Sequence, residues 1–170
     1  MTPAFSSLAD YILEPLQGAS DEAWARSPDG RWSPGQVVDH LATAIGNSAR
    51  GFKERAGKPA MRRRPRALKE IVAKAVVFNL GWFPGKPQAP TATIPADQPD
   101  RSATEAKLRA AVQAFVAAER ELLPARAGDL YLKHPRFGDL TLPEFMHFHV
   151  RHAVHHRKQI VQRLRGGSAQ

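Results

Sequence analysis

Three segments of the sequence carry the signals that start α-helices, and apolar residues at helical spacing follow each of them. Ser33-Pro34-Gly35-Gln36 is a capping box with proline in its first turn, and Ser102-Ala103-Thr104-Glu105 is a second capping box. Thr141-Leu142-Pro143-Glu144 caps a third long helix. No segment alternates apolar and polar residues convincingly at the two-residue period of a strand. The sequence therefore predicts an all-α chain.

The apolar periodicity and the helix-breaking residues give the extents of these helices. The predicted helices cover residues 3–18, 20–24, 34–57, 67–83, 102–123 and 141–165. A proline-rich surface crossover is expected over 84–99, and residues 134–140 carry the proline and glycine of a structured loop. Long amphipathic helices joined by one long crossover favour a helical bundle. A length of 170 residues suits one domain, so residues 1–170 are expected to fold as a single unit.

Residue usage excludes several classes of protein. The chain has no cysteine, so it has no disulfide and no thiolate nucleophile, and any metal must be held by His, Asp or Glu. No apolar run reaches the roughly 18 residues that a membrane span needs. The first residues lack the basic and apolar regions of a signal peptide. We therefore expect a cytoplasmic protein without a membrane partner.

The net charge of +9 is concentrated in one part of the chain. Ten basic residues and only two acidic residues lie between Arg50 and Lys74. Such asymmetry is found in proteins that bind nucleic acid or another anionic partner. The simpler interpretation is a solvated basic loop between two helices. Because Phe52 is the one aromatic residue in this segment, stacking on single-stranded bases has little support.

Five of the seven histidines fall within ten residues of the last predicted helix. His152 and His156 lie one turn apart on nearly the same face, about 6 Å along the axis, and such a pair can clamp a divalent cation. His149 and His155 each lie about 60° from His152 around the helix axis, where they could carry protons or face solvent. His147 points about 140° away and is expected to be exposed.

A sixth histidine lies on a different helix. His40 follows Val37 by one turn, which places it on or beside a buried apolar stripe. A lone histidine there is more often a satisfied core residue than a ligand. However, bundles build metal sites from facing helices, and three protein ligands with an open fourth position are typical of a catalytic metal. The sequence therefore predicts a metal site at His40, His152 and His156, with the core histidine as the open alternative.

Two motifs resemble those of a known family. The segment Trp32-Ser33-Pro34-Gly35-Gln36-Val37-Val38-Asp39-His40-Leu41 resembles the second-helix signature of the DinB-like superfamily. His152-Ala153-Val154-His155-His156-Arg157-Lys158-Gln159-Ile160 resembles its final H-x-x-x-H-x-x-Q-I motif. The segment from His134 to Thr141 is similar to the H-P-x-F-G-x-L-T lead-in of this group. Many members have Asp where this chain has Ala153, directly after the first histidine of the final motif.

The resemblance implies a fold and a ligand set. The fold is an up-down-down-up four-helix bundle with a long crossover and short extra helices. One divalent metal ion, zinc or nickel, is bound by His40, His152 and His156. Gln159 matches the motif glutamine, for which a hydrogen bond to a ligand is expected. Asp39 projects about 100° from His40 and is not expected to be a ligand.

The resemblance also implies a range of functions. The superfamily includes S-transferases that use bacillithiol or mycothiol and a mycothiol-dependent maleylpyruvate isomerase, and many members have no known reaction. We expect a metal-dependent transferase or hydrolase that activates a thiol or a water, with a low-molecular-weight thiol as a candidate cofactor. A small anionic substrate could be received by the basic loop 58–66, and a homodimer is expected. A non-enzymatic metal-binding bundle and a basic nucleic-acid-associated protein remain open alternatives.

Overall fold

The computed structural model describes residues 2–27, 30–84, 89–126 and 128–166, and six helices and one hairpin account for most of them. The helices are α1 (Leu8–Leu13), α2 (Asp21–Ala25), α3 (Pro34–Ala56), α4 (Leu68–Leu80), α5 (Arg101–Arg126) and α6 (Leu142–Arg165). Short 3-10 turns at Phe5–Ser7 and Glu14–Leu16 flank α1, and another lies at Thr91–Thr93. The strands are β1 (Tyr131–His134) and β2 (Gly138–Thr141). The prediction of an all-α fold is confirmed, with one small hairpin added.

Two of the three long helices, α3 and α5, run parallel. Near their first turns, Lys107 Nζ lies 2.7 Å from Asp39 Oδ1. Near their last turns, Lys53 Nζ lies 3.8 Å from Glu121 Oε2. Two parallel helices need a long connection between the end of one and the start of the next. The segment from residue 57 to residue 100, which includes α4, is that crossover.

The last helix, α6, runs antiparallel to α3. The ring centroids of Phe52 and Phe145 lie 5.4 Å apart at the end of α3 and the start of α6. At the opposite ends, the centroids of His40 and His156 lie 5.1 Å apart. The histidines of the two helices therefore meet at one level of the bundle.

The N-terminal segment runs antiparallel to α5 and completes the bundle. Phe5 packs against Phe115 with centroids 5.3 Å apart, and Asp10 forms an ion pair with Arg109 one to two turns earlier in α5. The directions of α1, α3, α5 and α6 are therefore up, down, down and up. This is the topology that the family resemblance implies.

Two of the predicted helix starts are formed as expected. Gln36 N donates to Ser33 Oγ at 3.1 Å, and Ser33 N donates to Gln36 Oε1 at 2.9 Å, which completes the capping box of α3. Thr141 and Glu144 form the same reciprocal pair at the start of α6. Each box satisfies backbone N–H groups that have no partner inside the helix.

The bounds predicted for α5 are wrong at both ends. Asp100 caps the helix, since its Oδ1 accepts from Ala103 N at 2.8 Å, and Ser102 lies inside the first turn. The helix also continues through Pro124. Proline removes the hydrogen bond to the carbonyl four residues earlier. That carbonyl belongs to Arg120, which is exposed and can bond to water instead.

The predicted helix over 3–18 is shorter and less regular than expected. It begins after Ala4 rather than at a Thr2 cap, and α1 gives way to a 3-10 turn around Pro15. Proline cannot donate to the carbonyl of Tyr11, so the α-helical hydrogen bonding stops there. The predicted apolar stripe is still buried: Leu8, Ile12 and Leu16 are at most 1% exposed.

The helix α4 lies on the outside of the bundle, against α6. It ends at Gly81, whose φ of 63° lies in the left-handed region that favours glycine. Its buried residues are Val77 and Phe78. Much of its apolar periodicity faces outward, with exposed large side chains at Leu68, Ile71, Val72 and Leu80. The sequence showed the period of this helix but not which face would be covered.

A β-hairpin replaces part of the predicted loop at 134–140. Its strands pair antiparallel from Tyr131 with Thr141 to His134 with Gly138. Gly138 has a φ of 69°, which permits the tight turn. Each strand has four residues, too few for a clear two-residue alternation. The hairpin was therefore not apparent from the sequence.

The bundle has one apolar core cluster among the described residues. Its largest fully buried side chains include Phe52, Phe115, Leu41, Leu108, Phe137 and Ile160. No helix in the described ranges is long and apolar enough to cross a membrane. Residues 85–88 of the predicted crossover lie outside the described residues.

Candidate metal centre

Three histidines from two helices meet inside the bundle. One ring nitrogen each of His40, His152 and His156 lies within 4.8 Å of the other two. His152 and His156 follow each other by one turn of α6, and their Nε2 atoms are 2.9 Å apart. His40 faces them from α3 because the two helices run antiparallel. The fold thus brings together the three residues that the sequence singled out.

The ring of His40 is oriented by the crossover. Its Nδ1 lies 2.7 Å from the backbone carbonyl of Thr93. Because a carbonyl only accepts, Nδ1 carries the proton, and the neutral ring keeps its lone pair on Nε2. A hydrogen bond of this kind is the usual way to fix the tautomer of a histidine ligand.

Gln159 orients His156 in the same manner. His156 Nδ1 donates to Gln159 Oε1 at 2.9 Å, which leaves Nε2 as the free acceptor. The amide nitrogen of Gln159 also donates to His155 Nε2 at 3.0 Å. The hydrogen bond expected for the motif glutamine is therefore present, and it links His156 to a further histidine.

The third histidine leaves a polar group without a partner. His152 Nδ1 is buried and has no hydrogen bond to any residue that the structure describes, and its Nε2 faces the lone pair of His156 Nε2. Four-coordinate zinc, with bonds of about 2.0–2.1 Å to nitrogen, would separate two such atoms by about 3.3 Å. A small adjustment of the two rings would therefore admit a cation, and the three imidazoles could hold one.

All three rings are neutral near pH 7. Burial lowers the pKa of His40, although its hydrogen bond to Thr93 and the charge of Asp39 oppose the shift. Burial, followed by the neighbouring histidines, lowers the pKa of His152 well below 6.5. Burial and then the charge of His40 lower the pKa of His156 to about 3. Neutral imidazole is the form that binds a metal, so protons compete weakly here.

Aromatic rings form the walls around the cluster. The Trp32 ring lies 4.9 Å from that of His40, and Phe83 lies 5.9 Å from His152, measured between centroids. Phe148 stacks on His152 at 5.2 Å. Trp32 is therefore part of the site. Such walls lower the local dielectric and strengthen electrostatic interactions inside.

Side chains of α3 hold the crossover in place over the site. Asp39 Oδ2 accepts from the backbone N–H of Ala96 at 3.0 Å, and Asn47 Nδ2 donates to the carbonyl of Ala92 at 3.1 Å. Thr93, the partner of His40, lies between these two anchors. As expected, Asp39 is not part of the histidine cluster, but its anchoring role was not apparent from the sequence. No sequence signal links partners this far apart in the chain.

The remaining histidines of α6 lie outside the cluster of three. His147 is exposed, as predicted. His149 is buried, and its Nε2 lies 2.9 Å from Ser48 Oγ. Burial lowers its pKa to about 3, so it is neutral as well. His155 is half-buried, and its ring lies 4.7 Å from that of Phe83.

Three arginines of the basic loop have structural partners. Arg64 donates to Asp139 Oδ2 from its backbone at 3.0 Å and from Nε at 2.9 Å. Arg63 and Arg66 donate to the backbone carbonyl of Asp139 and form ion pairs with Glu144. Glu144 lies about 12 Å before His152 along α6. These arginines therefore clamp the hairpin to α6 instead of extending into the histidine cluster.

The comparison with protein families agrees with the fold and with the motifs. The sequence model of the DinB superfamily matches residues 4–160. This range includes all three clustered histidines, Gln159 and both capping boxes that the structure confirms. Comparisons with curated proteins and with solved structures find no match. The family match covers most of the chain, and the chain therefore belongs to the DinB superfamily.

Proposed function

We propose that this protein is a metal-dependent transferase or hydrolase whose divalent ion is held by His40, His152 and His156. The observation that carries the proposal is the convergence of three neutral ring nitrogens within 4.8 Å. Two of the rings are fixed through their other nitrogen, by Thr93 and by Gln159. Three imidazoles with room for a fourth ligand are typical of catalytic rather than structural sites.

The residues of the chain orient the ligand rings and form an apolar environment around the ion. The ion itself would act as a Lewis acid that lowers the pKa of a bound thiol or water, giving a nucleophile near neutral pH. His40 and His156 are held in the tautomer that leaves Nε2 free. Trp32 and Phe83 limit the access of water. Zinc and nickel both suit three imidazoles, and a low-molecular-weight thiol is the nucleophile that we favour.

The test of this proposal measures metal content, thiol ionisation and turnover in turn. Untagged protein is expected to hold about one equivalent of zinc or nickel per chain after dialysis. Adding a small thiol to the loaded protein at pH 7 should release about one proton per thiol bound, because free thiols have a pKa near 8.5. Less than about a tenth of an equivalent of metal, with none taken up on titration, would remove the basis of the proposal.

Turnover separates an enzyme from a metal-binding bundle. The loaded protein is expected to accelerate the reaction of a small thiol with an alkylating electrophile. The same protein with all three histidines replaced by alanine should not do so. Equal rates with the two proteins would favour the non-enzymatic alternative.

Gln159→Leu is expected to lower zinc affinity by about 10- to 100-fold, because His156 loses the partner that fixes its tautomer. Competition with a chromophoric chelator measures the change. Gln162→Leu is the matched control, since Gln162 is exposed one turn further along α6. Equal affinities for the two variants would contradict the role given to Gln159.

Three further expectations from the sequence stay proposals. These are a single domain over residues 1–170, a cytoplasmic location and a homodimer. Light scattering on the purified chain checks the oligomeric state, and a clean monomer would contradict the dimer.

A further inference from the structure

One arginine lies on the same face of α6 as the clustered histidines. Arg163 follows His156 by seven residues, which brings it within about 20° of the same face, two turns further along the helix. Side chains on a helix lean toward its N-terminus. The guanidinium group of Arg163 is therefore directed back toward His156.

Arg163 has a guanidinium nitrogen without a partner among the residues that the structure describes. Its Nη1 is buried without a hydrogen bond, and no carboxylate of the described residues lies within ion-pair distance. The arginines of the basic loop, by contrast, are bound to Asp139 and Glu144. A buried donor on a charged group that makes no hydrogen bond is costly, so an anion at this position would relieve the cost.

Arg163 lies near both His156 and a second guanidinium group. Burial is the main cause of the low pKa of His156, and the charge of Arg163 is the last and smallest cause. Burial and then the charge of Arg31 lower the pKa of Arg163 itself. Arg31 directly precedes Trp32, whose ring packs on His40. Arg163 and Arg31 therefore both lie at the end of the site between the start of α3 and the end of α6.

We infer that Arg163 binds a carboxylate on the small thiol or substrate that reaches the three histidines. This inference rests on the proposed function. A guanidinium group can donate two parallel hydrogen bonds to a carboxylate. The reactive end of such a molecule lies at the histidines, and its anionic end lies at Arg163. The specificity for an anionic molecule thus comes from α6 and not from the basic loop.

The test uses cobalt(II) in place of the native metal, because a thiolate bound to cobalt absorbs light in a characteristic charge-transfer band. The probes are mercaptoacetate, mercaptopropionate and mercaptobutyrate, with mercaptoethanol as the neutral thiol. We expect at least one mercaptocarboxylate to bind the wild type about 10-fold more tightly than mercaptoethanol does. The three chain lengths sample the unknown span between the metal and the guanidinium group.

Arg163→Gln should abolish this preference and leave mercaptoethanol binding unchanged. Arg163→Lys should retain part of it, because the charge remains while the second parallel hydrogen bond is lost. Arg165→Gln is the matched control, since it removes the same charge from an exposed position in the same turn. It should keep the full preference.

Each outcome either supports or overturns the inference. If the wild type shows no preference, if Arg163→Gln keeps it, or if that variant binds mercaptoethanol weakly as well, then Arg163 does not bind the anion. In these cases the charge-transfer band of the wild type still supports the proposed function. If no thiol gives the band in the wild type, the proposed function fails, and the inference fails with it.

Discussion

Replacing His40, His152 or His156 singly by alanine is expected to lower zinc affinity by at least about 100-fold. Loss of a ligand should cost no less than loss of a residue that only orients one, for which 10- to 100-fold is typical. Chelator competition on the purified variants measures the effect. His147→Ala is the control, because His147 is exposed on another face of the same helix.

Metal removal should also change stability in a defined way. Bound metal stabilises only the folded state, so chelation should lower the melting temperature of the wild type and leave the triple alanine variant nearly unchanged. If His40→Ala keeps full metal occupancy and His147→Ala loses it, α6 binds metal from another face. The prediction of a metal site between α3 and α6 would then be wrong.

The pH dependence of metal binding follows from burial of the ligands. Free histidine loses metal to protons below about pH 6.5. In the folded chain, burial lowers the pKa of His156 to about 3 and that of His152 well below 6.5. Zinc affinity is therefore expected to fall much less between about pH 7 and pH 5 than it would for three free histidines. A loss of zinc affinity of about 100-fold over this range would contradict the conclusion that the ligand histidines are buried and neutral.

The second large effect is expected at Glu144, where Glu144→Gln should lower the free energy of unfolding by about 2–3 kcal/mol at pH 7. The carboxylate binds Arg63, Arg66 and Lys74, and its side chain is 21% exposed. Glutamine still serves a capping box with Thr141, so the variant removes the charge and keeps the cap. Urea unfolding followed by circular dichroism measures the loss.

The pH dependence of this effect has a definite sign. Burial alone would raise the pKa of Glu144, but hydrogen bonds from Lys74 and the Thr141 backbone, with the charges of Lys74 and Arg63, lower it from 4.5 to about 2. Its contribution is therefore complete above pH 4.5 and is lost as the pH falls toward 2. The difference between Glu144→Gln and the wild type should narrow by about 1 kcal/mol between pH 7 and pH 4.

An exposed ion pair provides the control for Glu144. Glu121 lies 3.8 Å from Lys53, and both side chains are at least half exposed. Glu121→Gln should change the free energy of unfolding by less than about 1 kcal/mol, because solvent screens such pairs. If Glu121→Gln and Glu144→Gln lower the free energy of unfolding equally, the ion pairs of Glu144 do not stabilise the fold as proposed.

The sequence predicted those features that depend on residues three or four positions apart. The capping boxes at Ser33 and Thr141 are contacts between residues i and i+3, and the pair His152 and His156 follows from one helical turn. Helix geometry fixes these relations before any tertiary contact forms. The motifs around His40 and His152 then pointed to the correct family. The same reasoning failed at Pro124, through which α5 continues.

Tertiary structure alone decided the partners that are distant in sequence. His40 is oriented by Thr93, 53 residues away, and Arg64 is bound by Asp139, 75 residues away. The arginines of the basic loop were predicted to bind an anion because the sequence shows their charge. It does not show that Asp139 and Glu144 neutralise that charge. A buried polar group is stable only if it has a hydrogen-bond or ion-pair partner. Packing of the helices can bring that partner from any part of the chain. The sequence therefore determined the helices and the histidine spacing, and packing decided which charges are neutralised and what orients each ring.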